Sequence, residues 1–172
     1  AMKMIEARAE AAGAPLYRCG VEWDAYASHG RLVVQTETQA LDLPLPALQG
    51  RHQIDNAGLA CAALLLSNAA EINDAAFAAG VETTSWPARL QPLTRGALSA
   101  LIRAIGGEVW VDAGHNADAA AALACALSDM KTRRGGENTV IVGLRKRKDA
   151  AAFVGAIARG ADRIIAVPLS EE

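Results

Sequence analysis

Aromatic side chains are scarce in this sequence: three Trp, two Tyr and two Phe among 172 residues. Alanine is abundant, at 39 of the 172. A core made from such a chain consists of small and aliphatic groups, which suits helices lying close on sheets. Cysteine is scarce too. Cys19, Cys61 and Cys125 are far apart and odd in number. They form no C-x-x-C pair and no metal-ligand spacing, which argues against a disulfide framework and a cysteine-ligated metal site. Cys61 and Cys125 fall in Ala/Leu-rich helical stretches and are expected to be small buried hydrophobes. Free thiols fit a reducing compartment, and cytoplasm is the default expectation. Long apolar runs are also missing. The longest, residues 57–66, has ten residues, whereas about twenty are needed to cross a bilayer. The first residues lack the charged-then-apolar pattern of a secretory signal.

A charge excess of one sign is absent as well. With 17 basic and 19 acidic residues the net charge is -2, which excludes a polyelectrolyte and a general nucleic-acid coat. The charge is nevertheless uneven. Residues 1–84 hold five basic and ten acidic side chains, net -5, and residues 85–172 hold twelve and nine, net +3. The sign change points to two units, the second better suited to an anionic ligand. Several motifs are missing: no G-x-G-x-x-G follows a strand, and there is no G-x-x-x-x-G-K-[ST] phosphate loop and no G-x-S-x-G elbow.

The elements present read in order. Residues 2–12 are a helix stopped by Gly13 and Pro15. Residues 16–19 are a short strand. Residues 22–28 and 31–37 flank His29-Gly30 as a hairpin. Residues 41–48, with Pro44 and Pro46, are an extended connector. Residues 50–70 are the clearest helix, with Ile54, Ala57, Cys61, Leu64 and Leu65 on one apolar face. Asn73 or Asp74 caps a short helix through Ala79, closed by Gly80, and residues 81–87 are a linker. Strands are expected at 89–94, 108–112, 139–142 and 163–167, with helices at 97–105, 116–130 and 149–158. That alternation predicts an α/β fold, a mostly parallel sheet with flanking helices.

Four segments carry candidate chemistry. In VWVDAGHNADAAAAL a strand ends at Asp112 and a helix opens near Asn116, so Asp112 and His115 sit at the carboxyl end of a strand, where α/β folds bind ligands. The first helical turn there can meet a phosphate. As a bland alternative, Asp112 and Asn116 are turn and cap residues and His115 is merely exposed. In GRHQIDNAGLA the first helical turn carries His52, Gln53, Asp55 and Asn56, and an amide such as Asn56 can read an adenine edge, or the four are simply a capped and solvated first turn. In WPARLQ the guanidinium of Arg89 can hold a phosphate, or simply an ion pair. In GLRKRKD four basic residues, Arg145 to Lys148, follow a strand on the same sheet edge as Asp112; Arg145 to Arg147 at least read as a solvated basic loop, and Asp149 is a natural N-cap.

Taken in order, GRHQIDNA, WPARLQ, DAGHNADA and GLRKRKD resemble the folylpolyglutamate synthase / dihydrofolate synthase family of the Mur ligase superfamily. The family pattern runs G-x-H-Q-x-x-N-A, W-P-x-R-L-Q, D-G-A-H-N-P and G-x-x-x-x-K-D. DAGHN exchanges the two small residues of D-G-A-H-N, and Asp118 stands near the place usual for proline.

The resemblance implies the Mur ligase carboxyl-terminal, Rossmann-like fold. Residues 1–84 would be the end of a central ATP-binding domain. Residues 85–172 would be a carboxyl-terminal glutamate-ligase domain, incomplete at its end. It further implies an ATP- and Mg2+-dependent ligase that joins L-glutamate to dihydropteroate or folate through an acyl phosphate, acting as a monomer. By resemblance Asn56 meets adenine, Arg89 reaches the ATP phosphates, Asp112 holds the ribose, and His115 stands beside the transferred phosphate. Lys148 and Asp149 organise the site. The phosphate loop, magnesium ligands and pterin loop would lie upstream, so this piece is expected to be inactive alone. The alternatives are another Mur-type ligase, or a non-catalytic α/β nucleotide-binding module.

Overall fold

The two-residue turn His29-Gly30 has both φ angles positive, 49° and 76°, the geometry that matches the twist of a tight hairpin. It joins β1 (Trp23–Ser28) to β2 (Arg31–Thr36), and β3 (Ala40–Pro44) adds to β2, giving an antiparallel sheet of order β1-β2-β3. Alternate residues point to one face. Leu32 faces Leu43 and Val34 faces Leu41 across the ladder, and all four are buried. A computed structural model describes residues 2–67 and 71–169. In it the chain divides into two compact units: Ala1–Ala47 with Gln53–Thr84, and Leu48–His52 with Ser85–Glu172.

In the first unit, α2 (His52–Ser67, from Gln53 onward) and α3 (Asp74–Thr83) supply Cys61, Ala62, Phe77 and Val81 to the core built on Trp23, Leu32, Val34, Leu41 and Leu43. Gly58 permits the close seat of α2. A Cβ there would lie 2.2 Å from the Cβ of Ala25 in β1. Asn73 caps α3 by accepting from the Ala76 N–H at 2.9 Å. Helix α1 (Met2–Ala12) has no buried residue. Beyond it Arg18 pairs with Glu6 and, at 2.6 Å, with Glu22.

The second unit contains β4 (Gln91–Pro92) antiparallel to β5 (Trp110–Val111), then α4 (Ala97–Ala104) and α5 (Ala117–Arg134). A β-α-β unit follows: β6 (Thr139–Val142), α6 (Ala150–Ile157) and β7 (Arg163–Ala166), with β6 and β7 parallel. Phe153, Ala156 and Ile157 of α6 meet Ala120 of α5, with Val140, Val142 and Ile164 packed against them. Alanine on α5 keeps the packing tight: a Cβ on Gly160 would come 2.4 Å from the Ala124 carbonyl oxygen. Asn138 sews this unit together by donating to the carbonyls of Leu127 and Gly160.

The α/β class with flanking helices holds, and the details differ from expectation at several points. Among the described residues the strands form separate small sheets, and only the β6–β7 strand pair is parallel. Asp112 and the basic loop at 145–148 therefore follow strands of different sheets. Residues 16–19 form no strand, only a single bridge from Cys19 to Trp23. The connector at 41–48 begins as strand β3, because Pro44 stands at the strand's last position, where its missing N–H is tolerated. The strand expected at 89–94 shrinks to two residues because Ala88 and Leu90 take left-handed backbone conformations. Helix α3 passes Gly80 and runs into the expected linker as far as Thr83. Helix α2 is described to Ser67, and residues 68–70 of that expected helix lie outside the described residues. Cys61 is buried as expected, and burial pushes its thiol pKa up. Cys125 is exposed, on the side of α5 turned from the core. No described helix is long and apolar enough to cross a membrane.

Candidate functional site

Strand β5 delivers Asp112 at its carboxyl end, and the aspartate is half-buried. One carboxylate oxygen, Oδ2, accepts the Leu90 N–H at 2.7 Å, and the other, Oδ1, accepts the Gly114 N–H at 2.7 Å. Such short bonds to a charged acceptor are among the stronger ones. Gly114 leaves room for them: a Cβ there would lie 2.8 Å from Oδ1 and 3.0 Å from the Ala119 Cβ. The adjoining segment is tied down as well. The Ala113 N–H donates to the Ala88 carbonyl at 2.8 Å, and the Ala88 N–H donates to Gln91 Oε1 at 2.9 Å.

Arg89 stands between Ala88 (φ 52°) and Leu90 (φ 43°). Left-handed backbone is uncommon for any residue with a side chain and a true outlier for a bulky one. Leu90 is buried, so its side chain anchors the segment while Arg89 is exposed. Arg89, Leu90, Asp112 and His52, with Ala119 and Leu123 of α5, line a cavity of about 60 Å³. That is room for a few waters, not for a nucleotide. Gly50, at φ 105°, makes space for the His52 ring, since a Cβ there would sit 2.7 Å from its Cε1. Arg51 beside it holds Asp129 of α5 through two bonds of 2.9 Å.

His115 is exposed, and its Nδ1 lies 3.0 Å from the Ala113 carbonyl. A carbonyl only accepts, so Nδ1 carries the proton and Nε2 of the neutral ring is left as an acceptor. Asn116 caps α5 by accepting from the Ala119 N–H at 2.8 Å. In the basic loop, the Lys148 N–H donates to the Arg145 carbonyl, and Asp149 caps α6 by accepting from Ala152 at 2.9 Å. Lys148 is exposed. In the first unit Asn56 is exposed on the opening turns of α2, where its Nδ2 donates to Gln53 Oε1 at 3.0 Å.

Of the six residues singled out from sequence, Arg89 and Asp112 line one cavity. His115, Lys148 and Asp149 stand at turns before α5 and α6, and Asn56 belongs to the other unit. His52 was visible as part of a polar first turn but carries no mark of the cavity it lines. The left-handed pair at 88 and 90 has no sequence signal, because neither residue is Gly, Asn or Asp. Among the described residues, no three His, Cys, Asp or Glu side chains gather to hold a metal ion.

No family model matches the chain, and no curated protein matches it in sequence. Solved structures do. The structure of E. coli FolC in complex with ADP, without folate substrate, aligns over 98% of this chain with a TM-score of 0.80 and 25% identity. The chain is a structural relative of the folylpolyglutamate synthases. E. coli FolC in complex with DHPP and ADP aligns over 94% of the chain at 0.76 and 26%. The folylpolyglutamate synthase of Mycobacterium tuberculosis, complexed with ADP and AMPPCP, aligns over 96% at 0.69 and 25%. The chain spans about 37%, 35% and 36% of these three synthases respectively.

Proposed function

We propose that this chain is part of an ATP-dependent amide ligase that adds L-glutamate to dihydropteroate or folate. The observation that carries the reading is the likeness, along nearly the whole chain, to synthases solved with ADP. In the reaction an oxygen of the acceptor carboxylate attacks the γ-phosphorus of ATP and ADP leaves. The glutamate amine then attacks the acyl phosphate carbon, loses a proton, and expels inorganic phosphate. Such chemistry depends on positioning and on positive charge more than on covalent help from the protein.

Within that reading Asn56 reads the adenine edge, since one amide both donates and accepts. Asp112 meets ribose hydroxyls, and the exposed guanidinium of Arg89 meets the phosphates. His115 stands beside the transferred phosphate, where protonation at Nε2 would turn that nitrogen from acceptor to donor. Lys148 and Asp149 organise the turn into α6. Among the described residues no three His, Cys, Asp or Glu side chains gather to hold a metal ion, and in this reading the magnesium ligands lie mainly in the upstream part of the longer protein. In this reading the chain on its own is inactive in amide formation and is monomeric. Residues 1–84 act as the end of an ATP-binding domain and residues 85–172 as part of a glutamate-ligase domain.

The test is equilibrium binding of ATP to the chain, with and without magnesium. Weak, magnesium-independent binding that is lost in Asn56→Ala and in Asp112→Ala is the expected result. Wild-type binding in both variants would count heavily against the assignment.

A further inference from the structure

The carboxylate of Asp112 does more than end a strand. It joins two backbone segments, one through the Leu90 N–H and one through the Gly114 N–H. The first of these is strained, with Ala88 and Leu90 both left-handed around Arg89. Strain of this kind persists only where the surroundings fix it. Here the fixing groups are the Asp112 carboxylate, the buried Leu90 side chain, the Gln91 amide oxygen on the Ala88 N–H, and the Ala113 N–H on the Ala88 carbonyl. The second segment, residues 113–114, carries the carbonyl that holds His115 Nδ1. One carboxylate thus ties down the backbone on which the arginine stands and the backbone on which the imidazole leans.

We propose that Asp112 is a positioning residue for Arg89: it latches the left-handed segment so that the guanidinium is presented to an anionic ligand. That the anion is a nucleotide phosphate rests on the ligase reading above; the latch itself does not. Without the latch, residues 88–90 relax toward ordinary backbone angles and the guanidinium swings away from its station.

The substitution Asp112→Asn keeps the size but offers one acceptor oxygen and turns an amide N–H toward the other backbone N–H. In the full chain, amide exchange at Leu90 and trypsin cleavage after Arg89 are expected to rise about tenfold. Exchange at Phe153 and Ile157 of α6 stays unchanged, which separates local release from unfolding. Gly114→Ala gives a second route, because its Cβ displaces the Asp112 oxygen, and it should free the same segment if Asp112→Asn unfolds the unit. ATP binding to wild type, Asp112→Asn, Arg89→Ala and the double variant then closes a cycle. Asp112→Asn should weaken binding several-fold beside Arg89 and by less in the Arg89→Ala background, where only a direct contact of Asp112 with the ribose is left to lose. Adding Ala88→Gly to Asp112→Asn should restore part of the affinity, since glycine takes positive φ without steric cost.

Unchanged exchange and cleavage at residues 89–90 would overturn the latch. An equal loss of affinity in both backgrounds would overturn the positioning role, because the whole effect of Asp112 would then be its own contact with the ligand. Raised exchange at Leu90 together with no ATP binding by wild type would uphold the latch and contradict the nucleotide reading.

Discussion

Replacing Gly58 with alanine should destabilise the first unit, against the ordinary rule that Gly→Ala strengthens a helix. The rule is worth about 1 kcal/mol in an open helix interior. At Gly58 the new methyl would lie 2.2 Å from the Cβ of Ala25, whereas carbons in contact sit about 3.5–4.0 Å apart. Helix α2 must then move off β1 by more than an ångström, or the strand must bend. Overpacking of this size costs roughly 1–3 kcal/mol and occasionally more, and a shift of α2 also loosens contacts at Cys61 and Ala62 on the same helix. With the methyl more than an ångström inside contact distance the cost stands in the upper part of that range, about 2–3 kcal/mol, and it outweighs the propensity gain for a net destabilisation of about 1–2 kcal/mol. In a chain of this length that lowers the melting temperature by very roughly 2–8 °C. Thermal unfolding followed by circular dichroism measures it. The double variant Gly58→Ala/Ala25→Gly separates causes, because removing the opposing methyl relieves the clash, so Ala25→Gly should cost less beside Gly58→Ala than alone. A Gly58→Ala protein more stable than wild type would refute the close seat of α2 on β1.

Three further outcomes are expected. The Arg18 side chain and backbone hold the Glu22 carboxyl at about 2, below its ordinary 4.5. A depressed carboxylate pKa stabilises above the unfolded value and loses that contribution as pH falls. Wild type should therefore melt above Glu22→Gln at pH 7, with the gap closing between about pH 4.5 and 2; a gap that widens on acidification would contradict this. Asn116→Ala and Asp149→Ala remove side-chain caps from α5 and α6 and should each cost about 1 kcal/mol in denaturant titrations; unchanged midpoints would contradict the capping geometry. His115→Ala, at an exposed site with few core contacts, should lower ligase turnover in the longer protein far more than it lowers melting temperature; a large thermal loss with intact specific activity would reverse that view.

Where local chemistry decides the structure, it could be read from the chain. The turn at His29-Gly30 and the caps at Asn73, Asn116 and Asp149 follow from residue types with a single favoured use there. So do the alternating strands, in which Leu32 and Val34 point inward. Strand partners could not be read, because β5 carries the same β-branched pattern whether it pairs parallel or antiparallel, and pairing is a tertiary choice. Cys125 shows the same limit: an alanine-rich helix gives few large residues to mark which side is buried. In the candidate site, the motif residues stood out but the backbone that carries them did not. The left-handed Ala88 and Leu90 are fixed by a carboxylate 22 residues away from Leu90 in the sequence, and no local pattern reports so distant a bond.

The most direct measurement is an amide-resolved NMR titration of the intact 172-residue chain with ADP. Shifts that saturate together at Asn56, at Arg89 and Leu90, and at residues 112–116 are expected, with α6 and β7 undisturbed. Shifts confined to other residues, or none at millimolar nucleotide, would contradict it.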